Sequence, residues 1–522
     1  MTKLSLFLNI QKTLLILAAI FFAASCSDTS EKTEPYVAKI GDRIIRIDEF
    51  RKSYETAIGA LKIGKNTKAR KRNYLGFMID ERLLALEGYR YGLHKKNRVQ
   101  TLQAWLMNDL LIDELLEQDV RSKISVSMDE IKNEINKSKV SFKFRFWPVK
   151  NFTDAERISR QMKERGYAAV VEDLIKNNPE LRKLDPGQFE SEYMDYQEVT
   201  PEVLDAIKDL PYGEISDPVK IGNQYIIFQV LDIRRQGVTE NDYKALASRY
   251  EQIVFYYKYQ KAIKRYASEM LKPLNIRTKA TAFNLLAAAF SEWHQSSDLK
   301  SLRFQYAVEH AKAKTPKLFA FRKYLDQPFF VYKGGSVSAG EFLNYFQPSR
   351  VSNVLSGVDN YRETLNFAIA TTIRDYFVIR RAKKRGLQKA KPVQSALKTW
   401  CDKWVFEEAK QFFTDSIEID SSDVLKFIQD HIDQFSKDAD FESENVKGAS
   451  KLYKKINVLK ERAKKLRTKY PVVIHDDVLD SIAVVESKKS RWMTLKIFRG
   501  GTNRPAFPSV DPIWGIDGDT PR

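Results

Sequence analysis

The chain has 522 residues, 43% of them hydrophobic and 12% aromatic, enough to bury two or three cores, which excludes a disordered polymer. A formal charge of +19 would bring nucleic acid forward as a partner in a cytoplasmic protein. The two cysteines and five histidines show no metal-ligand spacing, and no glycine loop is followed by the lysine and helix that cradle phosphate, so no metal or cofactor is expected.

The chain opens with Met1 to Lys12, which carries Lys3 and Lys12 and no acid, followed by an apolar run to Ala24. That run has the length of a signal-peptide core and is too short to span a bilayer comfortably. Ala23-Ala24-Ser25-Cys26 resembles the lipobox read by lipoprotein signal peptidase, with Ala23 where that pattern prefers Leu. The resemblance implies a signal over 1–25, lipidation at Cys26 and a polar tether over 26–35; the alternative is an ordinary secretory signal with a chance cysteine. Export leaves a charge of +17 and shifts the expected partners from nucleic acid to anionic lipid, lipopolysaccharide or acidic unfolded chains. With Cys26 lipidated, Cys401 has no disulfide partner and reads as a small buried group.

Beyond the tether, Val37 to Ile47 reads as two short strands around a Gly41-Asp42 turn, with Asp48 as the cap of a following helix. The basic run Lys62 to Arg72 reads as a solvated loop. Amphipathic helices follow, one including Phe77 to Leu86, another Val99 to Asp119, and Ser127-Met128-Asp129-Glu130 has the form of a capping box. The same signals return in order: Gly340-Glu341-Phe342 echoes Asp48-Glu49-Phe50, Gly386-Leu387-Gln388-Lys389 echoes Gly92-Leu93-His94-Lys95, Trp400 echoes Trp105, and Asp420 to Val424 echoes Ser127 to Ile131. An offset of about 290 residues held over several matches predicts a duplication. The expected organisation is a first copy over 36–140 with a return helix over 236–280, a helical connector over 281–327, a second copy over 328–486 and a tail over 487–522. The tail, rich in Gly, Pro and aromatics, reads either as a docking strand or as a disordered end. Asp476, Asp477 and Asp511 stand in loop-like contexts without evident partners.

Residues 141–235 read as a separate small α/β module inserted in the first copy. It holds a strand from Val140 to Val149, a helix from Thr153 to Glu172 capped by Thr153 or Asp154, a helix from Pro201 to Leu210 and a closing strand from Tyr225 to Leu231. Pro211-Tyr212-Gly213-Glu214-Ile215-Ser216-Asp217-Pro218-Val219, with Arg145-Phe146-Trp147-Pro148-Val149-Lys150 upstream, resembles the parvulin type of peptidyl-prolyl isomerase. With the flanking helices, the chain is similar to the SurA/PrsA group of exported foldases. The resemblance implies an α+β, mostly helical fold with a duplicated SurA-like body and one parvulin-like insert. Both histidines of active parvulins fall on other residues, Phe146 and Tyr225, and no histidine occurs between His94 and His294. Apolar pocket positions fall near Val199 and Val203, and Asp185 is the candidate for the family's acid. A pocket of Phe146, Val199, Val203 and Tyr225 is expected to bind a proline ring or apolar side chain with little catalysis, unless these residues are simply core.

The function these residues imply is that of a lipid-anchored, periplasm-facing chaperone for unfolded exported or outer-membrane proteins. The alternatives are an active prolyl isomerase and a structural envelope lipoprotein with one fixed partner.

Overall fold

The computed structural model describes residues 35–179, 181–183, 185–348, 361–432, 443–485, 496–499, 502–505 and 508–515; the expected signal, Cys26 and most of the tether lie outside them. The fold is α+β and mostly helical. Two compact units divide it: unit one runs to Glu114 and resumes at Arg277, and unit two is Leu115–Ile276.

A hairpin of β1 (Tyr36–Ile40) and β2 (Arg43–Arg46) leads into α1 (Ile47–Thr56), α2 (Thr67–Arg90), α3 (Asn97–Asp119) and α4 (Met128–Ser138). Next come β3 (Val140–Val149), α5 (Phe152–Arg165), α6 (Tyr167–Asn177), β4 (Met194–Asp195), α7 (Pro201–Ile207), β5 (Val219–Ile221), β6 (Gln224–Arg235), α8 (Glu240–Leu271) and β7 (Arg277–Thr278). Helices α9 (Ala280–Gln295), α10 (Ser297–Lys300), α11 (Phe304–Glu309) and α12 (Pro316–Arg322) connect to a second series. That series is β8 (Pro328–Tyr332), β9 (Gly335–Ser338), α13 (Ala339–Leu343), α14 (Tyr361–Lys384), α15 (Lys391–Thr414), α16 (Ser421–Asp430), α17 (Glu444–Lys469), β10 (Val472–Ile474) and α18 (Asp476–Ser481).

The order hairpin, short helix, two long helices, capped helix, long basic helix, strand thus occurs twice. Helices α2 and α14 are both 24 residues long and end on Gly92 and Gly386, each at φ 74° and ψ 15°, a left-handed conformation that glycine adopts without Cβ strain. Reciprocal capping boxes open both α4 (Ser127 with Glu130) and α16 (Asp420 with Asp423). Neither opening hairpin is completed by its own series. β10 pairs antiparallel with β1 through Ala38 and Ile474, while β7 pairs with β8 through Arg277 and Val331, so each hairpin takes its third strand from the end of the other series.

The core of unit one packs Phe50, Tyr54, Tyr74 and Leu83 against Phe406, Leu459, Leu466 and Trp514. A Cβ on Gly88 would lie 2.8 Å from Val405 Cγ1, which explains why α2 and α15 approach so closely there. A second cluster joins Val99 and Leu106 of α3 to Leu397, Trp400, Cys401 and Trp404 of α15. Burial pushes the Cys401 thiol up to about 12.

Several local expectations change. The run ending at Arg72 enters α2, and Lys71 is buried with its Nζ donating to the carbonyls of Leu479 (2.8 Å), Asp480 (3.0 Å) and Ile482 (3.2 Å) at the end of α18. Asp48 lies inside the first turn of α1, whose N-cap is Arg46. The helix expected over 153–172 is two helices broken at Gly166, and its cap is Asn151, which accepts from Asp154 N at 2.9 Å. Part of the tail is core: Trp514 is 1% exposed, its indole N–H donates to Glu81 Oε1 at 3.2 Å, and its ring stacks on Phe77 and Phe406. Asp511 has partners too; burial alone would raise its carboxyl, but Lys410, which donates to it, and nearby Lys403 hold it below the ordinary value. Asp476 pairs with Arg72.

In unit two, Ile131 and Ile135 of α4 pack on Tyr250 of α8. The Thr239 hydroxyl and backbone N–H both donate to Asp242 at the start of α8 and hold that carboxyl at about 2. A folded-state value below the unfolded one contributes stability above the ordinary aspartate range, lost as pH falls toward about 2. Asp242→Asn is therefore expected to flatten the acid limb of unfolding of this unit below about pH 4, followed by circular dichroism during acid titration.

Candidate functional site

The module of unit two is built on a four-stranded sheet of order β4-β3-β6-β5. Strand alternation sends successive side chains to opposite faces. On one face Trp147 and Ile227 pack with Ile158 and Met162 of α5 and Val170 and Val171 of α6. On the other, Phe142, Phe144, Phe228 and Val230 pack with Val199 and with Ile207 of α7.

Of the four residues expected to share a pocket, three are together. Val199 is buried in the second cluster, and Phe146 and Val203 are half-buried against it. The Phe146 ring makes edge contacts with Phe189 at 6.0 Å and a tilted contact with Phe144 at 6.4 Å, and its carbonyl accepts from the Tyr167 hydroxyl at 2.9 Å. Tyr225 is elsewhere. It pairs with Val149 while Phe146 pairs with Phe228, so Tyr225 and Phe146 point to opposite faces, and the Tyr225 ring rests on Phe152 at 5.4 Å. The β6 residues on the Phe146 face are Gln224, Ile226 and Phe228; a one-residue difference in alignment decides the face. Asp185 is exposed and caps a short turn, accepting from Gly187 N at 3.0 Å.

The chemistry open to this face is limited. Prolyl isomerisation crosses a barrier of roughly 18–20 kcal/mol. Phe146 and its neighbours offer apolar surface for a proline ring. The polar groups of β3 lie on the opposite face, where Lys143 (2.8 Å) and Arg145 (3.0 Å) both hold Glu190 and keep its carboxyl below the ordinary value.

Unit one holds a larger feature that sequence reasoning missed. A groove of about 700 Å³ lies between α3, the α9–α11 connector and α14, walled by Trp105, Ile112, Trp293, Phe304, Tyr306 and Tyr345. Asp109 and Asp375, each 4% exposed, line it, and the Arg303 guanidinium stands 3.9 Å over the Trp105 ring. Trp293 Nε1 donates to Leu302 O at 3.0 Å, fixing one wall, while Tyr306 remains 48% exposed. The available signal was Trp105, visible only as half of a repeat match. The connector residues carry no pattern that distinguishes wall from core.

No family model matches the chain, and no curated protein matches it significantly. Among solved structures it is similar to the peptidylprolyl isomerase PrsA of Bacillus anthracis, at 18% identity over 37% of this chain and 96% of that one, with a TM-score of 0.20. It is similar to a chain from work on PEB4 and Cj1289, two SurA-like chaperones of Campylobacter jejuni, at 17% identity over 47% of this chain and 100% of that one, TM-score 0.20. PrsA of Bacillus subtilis aligns at 17% identity over 44% of this chain and 91% of that one, TM-score 0.15.

Proposed function

We propose that the protein is a chaperone of the bacterial cell envelope, lipidated at Cys26, held at the outer membrane and facing the periplasm, that binds unfolded exported polypeptides. The observation that carries this reading is the aromatic groove of unit one: concave, about 700 Å³, and walled by rings that hold apolar segments without demanding one sequence. The parvulin-like module is a second binding surface in this reading, with Phe146, Val199 and Val203 receiving apolar or prolyl side chains. In this reading Phe146 stands in place of a histidine, with Ile226 and Phe228 on the same face of β6, and offers a prolyl amide apolar contact but no imidazole.

The test is cis/trans exchange of a short Xaa-Pro peptide followed by NMR with the purified protein. We expect no acceleration over the uncatalysed exchange, whose time constant is on the order of tens to hundreds of seconds, together with suppressed aggregation of an unfolded envelope protein. Acceleration abolished by Phe146→Ala would instead make the module an isomerase.

A further inference from the structure

Helix α17 carries ten lysines and arginines against two acids, and on a helix of that composition most charges are solvated. One face of it differs. Ser450, Asn457, Arg462, Lys465 and Lys469 line a groove of about 660 Å³ in unit one, whose walls also come from Glu87 and Arg90 at the end of α2 and from Asp423 and Lys426 of α16. The α17 residues of the lining recur every three or four positions, so a single helix face runs the length of the groove. From Ser450 to Lys469 the helix rises about 28 Å, which an extended chain of about eight residues spans.

Three features separate this face from a solvated one. Ser450 is 1% exposed, yet its hydroxyl has no hydrogen-bond partner, not even the carbonyl one turn back that a mid-helix serine commonly takes. Two acids of the groove are already matched: Lys454 lies 2.5 Å from Asp423, and Glu87 takes both Arg90 and, at 3.2 Å, Lys469. Lys426, Arg462 and Lys465, by contrast, enter no ion pair among the described residues, and the exposed Glu461 is the remaining acid of the lining. Finally, the Arg462 guanidinium sits 3.9 Å over the Phe413 ring, which fixes its position and leaves its N–H donors for a carboxylate. Tyr91 and Phe412, both about half exposed, complete that ring cluster at 5.7 and 5.3 Å from Phe413.

We propose that this groove binds an extended acidic polypeptide segment of about eight residues, with aspartate or glutamate at alternate positions. The carboxylates meet Lys426, Arg462 and Lys465, while the side chains between them rest on Val458 and Leu466. The Ser450 hydroxyl and the Asn457 amide offer hydrogen bonds to main-chain groups. A concave face that combines neutral hydrogen-bonding groups with cations suits a polypeptide better than a planar array of lipid phosphates. The proposal rests on the client-binding reading for the origin of the segment, and deepens it by naming a class of client sequence.

The test titrates two fluorescein-labelled octapeptides, one alternating glutamate with alanine and one alternating glutamine with alanine, with the purified full chain, read by anisotropy. The glutamate peptide is expected to bind at least about tenfold more tightly. Arg462→Gln/Lys465→Gln is expected to remove that preference. Lys451→Gln/Lys455→Gln takes the same charge from α17 outside the groove and is expected to leave the preference within about twofold, since exposed charges off the site are screened. If the first variant does not fold, Lys426→Gln/Lys465→Gln, at two exposed positions, takes its place with the same expectation. Equal affinity for the two peptides, or an equal loss in the groove and control variants, overturns the proposal. Binding to phosphatidylglycerol vesicles but not to phosphatidylcholine vesicles, dependent on Arg462 and Lys465 and without peptide preference, also overturns it and makes the groove a membrane-facing surface. An aggregation-suppression assay on the same preparation separates the two readings. Suppression without peptide preference sinks the groove assignment alone, and preference without suppression supports the groove and removes the chaperone.

Discussion

Trp514→Ala is expected to destabilise the protein by about 3–5 kcal/mol, the usual cost of emptying a large aromatic site in a packed core. The indole is 1% exposed, its ring stacks at 6.2 Å on Phe77 and 6.3 Å on Phe406, and its N–H satisfies Glu81. Truncation therefore combines a cavity with the loss of a donor to a buried carboxylate. Ile513→Ala, at a position only partly buried against the same core, should cost clearly less. Urea unfolding followed by far-ultraviolet circular dichroism measures both. A Trp514→Ala midpoint equal to that of the parent would mean that residues 508–515 are not seated against α2 and α15.

Lys403→Met should be comparably severe, about 3–5 kcal/mol, because it leaves a buried carboxylate without its counter-ion. Lys403 Nζ lies 3.0 and 2.8 Å from the two oxygens of Glu81, and the side chains are 11% and 10% exposed. Burial already holds the Glu81 carboxyl above the ordinary glutamate value, against the pull of Lys403. Removing the lysine raises it further. A folded-state acid with a raised value costs stability as pH rises from the unfolded value through the folded one, so the deficit should be smaller near about pH 5 than near about pH 8. The double variant Glu81→Gln/Lys403→Met should recover more than half of the loss, since a neutral amide oxygen still accepts from Asp511 N and Trp514 Nε1. A deficit independent of pH would remove the charge from the explanation and leave packing alone.

Features that depend on neighbours along the chain were legible in the sequence. The Gly41 turn, the Ser127 and Glu130 capping box, and the strand–helix order of the module are all encoded within a few residues. Features decided by distant partners were not. Asp511 looked unpaired because Lys410 and Glu81 are far away in sequence, and Lys71 looked solvated because its acceptors are the carbonyls of 479–482. The candidate site failed at one strand position. Phe146, Val199 and Val203 do meet, but Tyr225 and Gln224 are adjacent in sequence and opposite in space, and only the β3–β6 register tells them apart. The groove of unit one was illegible for the same reason: its walls come from α3, the connector and α14, and an aromatic ring lining a cleft has the same sequence signature as one filling a core.

The exchanged third strands set the order in which this chain can acquire its structure. β7 lies close in sequence to the hairpin it completes, so β8 and β9 can pair with it as soon as they exist. β1 must wait for Val472–Ile474, and Phe77 waits longer still, for Trp514. A polypeptide delivered from its N-terminus therefore presents the open edge of its first hairpin throughout synthesis, and closing that contact carries the loop entropy of nearly the whole chain. Unit two, formed from one continuous stretch, has no such delay. In pulse-labelling hydrogen exchange, amides of α5 and β6 should become protected well before those of β1, and the gap between them is the interval in which this protein is itself an unfinished polypeptide.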